Sequence, residues 1–447
     1  MDLLKDKIKP LYFKYLAAAF GSALISSIYG IVDLAMVGKY QGAEGTAAIS
    51  LISPVWNVLY SLGLLVGIGG AVLFSALRGE SSGNIKRSNE YFAAAVAGGG
   101  VLALISWLGL IFFDRQLLLL FGANETLMPL ARAYLLPIKF GVPLFIFNQL
   151  LSAFLRNDGD PALATKAVLF GGIFNVFGDY FCIFTLDMGI MGAGLATVVG
   201  SFFSLVIMLT HFFSRKNTLA LVRPQHFFWK LKEIGSTGFS TFFIDVAMGI
   251  LTVFFNRQVL RYFDTNALAV YGILAYVGTF AQCCAYSAGQ AAQPIISVNF
   301  GAKNGWRIRE TLRYALITIA CFSIFWSGLS LAVPNLYIHL LTTPTAALLS
   351  IAPTIIRRYG LSFLLLPLNI FSTYYFQALL KRGTSFIVSV ARGAVISGIL
   401  IYLLPAACGA DAIWFAMPIT ELIVAAYASI KMKQYTKELP AERTESP

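Results

Sequence analysis

Apolar residues run almost unbroken along this chain, in stretches too long for the core of a water-soluble domain. Residues 12–38, 45–77, 90–113, 162–186 and 190–214 each exceed the roughly 20 residues that cross a bilayer. Further spans follow near 236–263, 267–300, 311–333, 348–380, 385–405 and 411–432. With the span around Pro137 and Pro143, the pattern predicts an all-α integral membrane protein of about twelve transmembrane helices, six in each half. The first apolar segment continues past residue 30 without a small-residue cleavage pattern, so it is read as a span and not as a signal peptide.

Between the halves, 215–234 is the most polar internal connection, carrying Arg215, Lys216, Arg223, Lys230 and Lys232. It is expected to be a cytoplasmic linker with an interfacial helix around His226–Glu233. The predicted organisation is a six-helix lobe over 1–214, the linker over 215–234, a second six-helix lobe over 235–434 and a polar cytoplasmic tail over 435–447. Pro54, Pro137, Pro143, Pro294, Pro353, Pro367 and Pro418 stand inside apparent spans. Membrane helices tolerate such residues as kinks, and some kinks serve as hinges for alternating access.

The halves resemble each other. A shift of 222 residues places Tyr40 on Tyr262, Ala47 on Ala269, Ser75 on Ser297, Gly79 on Gly301, Gly83 on Gly305 and Arg87 on Arg309. Further on the shift drifts, so that Gly159 meets Gly383 and Gly189 meets Gly409. Six spans per half start both halves on the same side, so the two lobes are expected to be related by a parallel pseudo-two-fold repeat.

Composition supports the membrane class: 58% of the 447 residues are hydrophobic and only 12% charged, about half the charge of soluble domains. The net charge of +12 would suit a nucleic-acid partner, but its placement excludes that reading. With a cytoplasmic N-terminus, the inside segments hold about 23 of the 33 Lys and Arg. The outside loops hold Lys39, Arg115 and Arg261. This asymmetry predicts that both termini are cytoplasmic. Cys182, Cys283, Cys284, Cys321 and Cys408 all lie in apolar runs, and His211, His226 and His339 are scattered. Neither a disulfide framework nor a metal-binding spacing results.

Charged residues inside spans are the candidates for function, because each costs at least ~2.5–3.5 kcal/mol to insert. Asp33 stands in span one and Asp179 in span five, with Asn175 one helical turn from Asp179. Asp179 precedes the turn near Met188 by nine residues, and Thr197 follows it by nine. Both therefore sit about 13 Å below that turn, and Asp33 lies at a similar depth below the turn near Gly42. These four residues offer oxygen ligands, suited to a hard cation such as sodium, while a pair of buried carboxylates can instead hold one proton.

The second half does not repeat the set. It carries Asp245 in span seven, Arg392 in span eleven and Glu421 in span twelve. Asp245 and Glu421 suit a second proton or substrate site, or structural pairing with Arg392 or Arg257. Arg357 and Arg358 suit snorkelling or a place on a central cavity. Aromatic residues make up 14% of the chain, enough for interfacial belts and for cation–π contacts with flat cationic ligands.

Ile31-Val32-Asp33-Leu34-Ala35-Met36-Val37-Gly38, with Ala47-Ala48-Ile49-Ser50-Leu51, resembles the first hairpin of multidrug and toxic compound extrusion (MATE) transporters. Arg156-Asn157-Asp158-Gly159-Asp160-Pro161, Asn175 with Asp179, and Gly194-Leu195-Ala196-Thr197 are similar to that family's fourth to sixth helices. Gln293-Pro294 through Asn299-Phe300-Gly301-Ala302 is similar to the matching turn of the second lobe. The resemblance implies a two-lobed, monomeric exporter in the plasma membrane, driven by inward Na+ or H+ without other cofactors. It implies small, cationic amphipathic substrates and a cation site at Asp33, Asn175, Asp179 and Thr197. By the same resemblance, Asn148 or Gln149 lines the first lobe's cavity. Ala18 stands where the family often has a bend-forming proline, leaving Gly21 and Gly30 to loosen that helix.

Other readings meet specific obstacles. A lipid-linked oligosaccharide flippase of the same superfamily requires a strongly cationic cavity, whereas the best-defined set here is acidic. A major facilitator would carry a basic signature between spans two and three, where this chain has Arg78-Gly79-Glu80-Ser81-Ser82-Gly83. An intramembrane aspartyl protease would need Gly-x-Gly-Asp, and Val176 occupies the first glycine position before Gly178-Asp179.

Overall fold

The computed structural model describes residues 2–80, 84–341 and 344–440. Gly83, with its neighbours Ser81 and Ser82, and residues 441–447 of the expected tail lie outside the described residues. Among the described residues, twelve helices are long and apolar enough to cross a membrane. The first six are α1 (Ile8–Gly42), α2 (Glu44–Gly79), α3 (Ile85–Leu120), α4 (Leu127–Asn157), α5 (Pro161–Thr185) and α6 (Gly189–Phe213). The second six are α7 (Phe227–Tyr262), α8 (Thr265–Gly301), α9 (Gly305–Ala332), α10 (Ala346–Ala378), α11 (Arg382–Cys408) and α12 (Ala410–Glu438). Helices solve the backbone problem of a lipid-facing chain, since every amide finds its partner within the segment.

Breaks in these helices have local causes. α1 turns into α2 at Gly42, whose φ of +67° is left-handed and open to glycine at little steric cost. No residue of α1 before Gly42 leaves helical geometry, so neither Gly21 nor Gly30 loosens it. α10 passes through a 3-10 turn at Leu361–Leu364 just before Pro367, and α12 opens with one at Ala410–Phe415 before Pro418. A proline has no N–H for the helix ladder, so these turns fall where a regular bond cannot form. Pro54, Pro137, Pro143, Pro294 and Pro353 sit inside α-helices. The fifth helix of each half carries a π-helical stretch, at Tyr180–Thr185 and at Ala391–Val395. Such stretches are rare and concentrate at functional sites.

The chain forms two compact units: one comprises Met1–Leu3 with Ala17–Phe242, the other Leu4–Leu16 with Phe243–Pro447. This corrects the expected boundaries in two places. The linker and the start of α7 pack with the first unit, where Lys230 Nζ reaches Glu90 at 2.9 Å. The start of α1 packs with the second, where Arg307 donates to the Asp6 carbonyl at 2.7 Å and Tyr12 stacks on Tyr314. The expected separate interfacial helix is absent, because α7 begins at Phe227 and continues unbroken to Tyr262.

In the first unit a buried cluster joins Val37, Ile52, Leu135, Ile138, Ile146 and Ile190. Close by in sequence, buried Asp114 of α3 accepts from Arg132 Nε at 3.0 Å and Lys139 Nζ at 2.7 Å. That pairing explains how α4 carries two basic residues inside a span.

Candidate functional site

Small residues decide where α5 and α6 meet. A Cβ on Gly171 would lie 2.7 Å from the Gly200 carbonyl oxygen, and one on Gly200 would lie 2.5 Å from that of Gly171. Only the missing side chains allow the two backbones to touch, the same device that packs many membrane helices. One turn from each glycine stand Asn175 and Thr197, and their side chains meet: Asn175 Nδ2 donates to Thr197 Oγ1 at 3.3 Å. α1 closes the third side. Gly172 leaves room for Ile25 and the Tyr29 ring, each 3.1 Å from where its Cβ would be. Asp33 follows Tyr29 by one turn.

The Asp33 carboxyl faces Asp179, Thr197 and Asn175 together. Its Oδ2 lies 3.3 Å from Thr197 Oγ1, whose hydroxyl also reaches the Ala193 carbonyl at 3.0 Å. All four residues are buried, Asp179 completely. The depth estimate agrees with contacts at the helix ends: Tyr40 donates to Asp187, and Gln41 accepts from the Ile190 amide at 3.1 Å. Those bonds tie the α1–α2 turn to the α5–α6 turn.

The polar balance of this cluster is incomplete. Asp33 Oδ1, Asn175 Oδ1 and both carboxylate oxygens of Asp179 are buried without a hydrogen-bond donor. Buried acceptors are nearly always satisfied, so four orphans in one cluster call for a positive guest. With the Thr197 hydroxyl they form an all-oxygen set, which fits a sodium ion or a proton.

Tyr134 of α4 completes the surroundings. It is buried, and its phenol faces Thr197, Trp56 and both carboxylates. Sequence reading passed over it among 20 tyrosines. The depth argument would have found it, because it lies seven residues into α4, about 10 Å below the end shared with the other turns. Cys182 approaches Asp179 from the π-helical stretch.

Other candidates stand apart from this cluster. Asn148 donates to the Ser201 carbonyl of α6 at 2.9 Å and leaves its own oxygen buried and unpaired. Gln149 packs against α2, with its Cβ 2.7 Å from where a Gly63 Cβ would be. In the second unit, Asp245 is half-buried and accepts from the Tyr286 hydroxyl at 2.8 Å, while its second oxygen has no donor. Gln282 lies beside the same hydroxyl at 3.4 Å.

Glu421 is placed differently. Arg392 Nε donates to its Oε1 at 2.8 Å and Asn369 Nδ2 to its Oε2 at 2.6 Å, all within the core. Structural pairing with Arg392, one of the two roles open from the sequence, describes Glu421. Arg257 is exposed, and Arg358 pairs with Asp411 at 2.7 Å. Phe255, which the repeat places opposite Asp33, stacks on Tyr271 with ring centroids 4.8 Å apart.

The profile of the MatE family matches the chain twice, over residues 18–181 and 239–403. The two starts differ by 221 residues and the two ends by 222, the shift already visible between the halves. Multidrug export protein MepA of Staphylococcus saprophyticus is 25% identical over 427 residues, covering 95% of this chain and 93% of the relative. Its Staphylococcus aureus counterpart is 25% identical over 411 residues, covering 91% and 89%. Among solved structures, an outward-facing multidrug resistance MATE family transporter of the MOP superfamily superposes with a TM-score of 0.89. A MOP superfamily transporter from Pyrococcus furiosus, described as having a binding pocket of reversed polarity, gives the same score. Each is 18% identical and covers 98% of both chains, so the likeness concerns the fold.

Proposed function

The chain belongs to the MatE family, and on that premise we propose that it is a secondary active multidrug exporter coupled to Na+ or H+ through Asp33, Asn175, Asp179 and Thr197. The family is one of transporters, not enzymes. The observation that carries the coupling site is the set of four buried oxygens without donors, drawn from α1 and α5, with the Thr197 hydroxyl of α6 beside them.

Two carboxylates at close quarters explain how an ion gradient drives this protein. At a separation of about 4 Å, unit charges repel by ~4 kcal/mol at an effective dielectric constant of 20. One proton or one sodium ion relieves that repulsion, and because both use the same oxygens, each excludes the other. Asn175 and Thr197 supply neutral oxygen ligands and hold the carboxylates in place. A ligand shifts a conformational equilibrium only through its different affinity for the two states. A site assembled from α1, α5 and α6 meets that requirement when those helices repack between states. Alternating access then exchanges the driving ion for substrate.

Cationic amphipathic small molecules are the substrate class that fits. Asp245, with one oxygen unpaired and Tyr286 beside it, supplies negative charge and an aromatic face in the second unit. Asn148 and Gln149 are the corresponding polar candidates of the first. The flippase reading finds no free cation at Arg392, which is bound to Glu421. The positive-inside distribution supports the reading that both termini and the 215–234 segment are cytoplasmic, in a protein we take to act as a monomer in the plasma membrane.

The test is uphill ethidium export in proteoliposomes with sodium and proton gradients imposed separately. Export under at least one gradient is expected, and no response to either would contradict the proposal.

A further inference from the structure

The segment joining α6 to α7 has a polar side bound to the first unit and a basic, aromatic side left uncovered. Asp158 accepts from the Thr218 amide at 3.0 Å and from its hydroxyl, and lies 2.7 Å from His211 Nε2. The Thr218 carbonyl accepts from Arg78 at 2.8 Å and Asn89 at 3.0 Å, and Asn89 in turn accepts from the Ala220 amide. Lys230 is drawn in by Glu90. These bonds fix the segment against α2, α3 and the α4–α5 turn.

Large apolar side chains remain outside. Phe213 is 92% exposed, Phe228 83%, Leu221 69% and Trp229 61%. Arg215, Lys216, Arg223 and Lys232 are exposed as well. Lys232 Nζ lies 5.6 Å from the Trp229 ring, and Lys216 reaches only the edge of Asp160, at 4.0 Å. No acidic residue occurs from 212 to 232. Phe213 ends α6 and Phe227 begins α7, so the aromatic residues stand where the spans leave the hydrocarbon, and the basic residues stand within a few positions of them. The complement of such a surface has an acyl boundary and fixed negative charge.

We infer that this segment binds an anionic phospholipid: Arg215, Arg223 and Lys232 receive the headgroup phosphate while Phe213, Phe228 and Trp229 enter the acyl boundary. Free phosphate shares the first half of that chemistry and cannot use the second. Each basic residue close to the surface favours anionic lipid by about five-fold, so removing three lowers the preference by about a hundred-fold at low salt.

The full-length protein in nanodiscs tests this. Emission from Trp229 is taken as the difference between the wild type and Trp229→Phe. Phosphatidylglycerol with brominated chains is expected to quench it several-fold more than brominated phosphatidylcholine. Arg215→Gln/Arg223→Gln/Lys232→Gln should abolish the excess. Arg223→Gln alone, the milder variant, should lower the excess while leaving part of it. Millimolar inorganic phosphate should leave the excess unchanged. Equal quenching by the two lipids in the wild type overturns the inference, and so does displacement by inorganic phosphate.

Discussion

Replacing Gly200 with alanine should weaken ion coupling although it replaces none of the four ligands, because the new Cβ would press on the Gly171 carbonyl and, at 3.0 Å, on the Asn175 Cβ. A Cβ there would lie 2.5 Å from the Gly171 carbonyl oxygen, against the 3.4 Å at which ordinary contact begins, so α5 and α6 must part by about 0.9 Å. The Asn175–Thr197 bond is already 3.3 Å long and does not survive such a shift. Losing one net hydrogen bond of about 1–1.5 kcal/mol raises the half-saturating concentration of the driving ion roughly ten-fold. Overpacking also lowers stability by about 1–3 kcal/mol. The assay is export rate against sodium or proton concentration in proteoliposomes, with equal amounts of folded protein. Gly30→Ala is the control, because nothing lies within 4 Å of where its Cβ would be. If Gly200→Ala keeps the wild-type ion dependence, the helix contact does not position the site and the reasoning fails.

Three further outcomes are expected. Asp245→Asn should change the relative export of different cationic drugs without abolishing all of it, read from resistance profiles in cells; uniform loss would remove the division of labour between the two acidic sites. Arg392→Gln leaves Glu421 in the core with the Asn369 amide but without its counter-ion, so denaturation midpoints should show a loss of about 3–5 kcal/mol, with Arg392→Met/Glu421→Leu recovering most of it. Single cysteines at Gly42, Asp187 and Pro344 of a cysteine-free variant should react with an impermeant thiol reagent outside sealed cells. A cysteine at Arg223 should not, and its labelling would reverse the orientation.

The fold was legible because a bilayer leaves so few solutions: twenty apolar residues in sequence mean a crossing helix wherever they occur. The carboxylate cluster was legible for a related reason. Asp33 and Asp179 are conspicuous against apolar neighbours, and a fixed rise per residue converts their distance from a turn into depth. Tyr134 was not, because an aromatic residue in a span is ordinary until its neighbours are known. Gly171 and Gly200 were hidden among 39 glycines, since sequence does not tell which backbones touch. The unit boundary escaped for another reason. Charge at 215–234 marks where the chain leaves the membrane, whereas the units are defined by what the start of α7 packs against, and Gly238 settles that by its contact with Leu65. For Glu421 the sequence held two partners open, and the π-helical stretch that carries Arg392 decides between them.

The central claim is that Asp33 and Asp179 share one exchangeable cation or proton and that its loss drives export. Its most direct test is gradient-driven drug export by well-expressed, correctly inserted Asp33→Asn and Asp179→Asn variants under imposed sodium and proton gradients. Each variant retains a single carboxylate, so the ~4 kcal/mol of relieved repulsion disappears, and with it about a thousand-fold bias between conformations. The account predicts that neither variant exports drug uphill under either gradient, while Asn175→Ala and Thr197→Ala retain weakened export. Wild-type coupled export by both aspartate variants would contradict it.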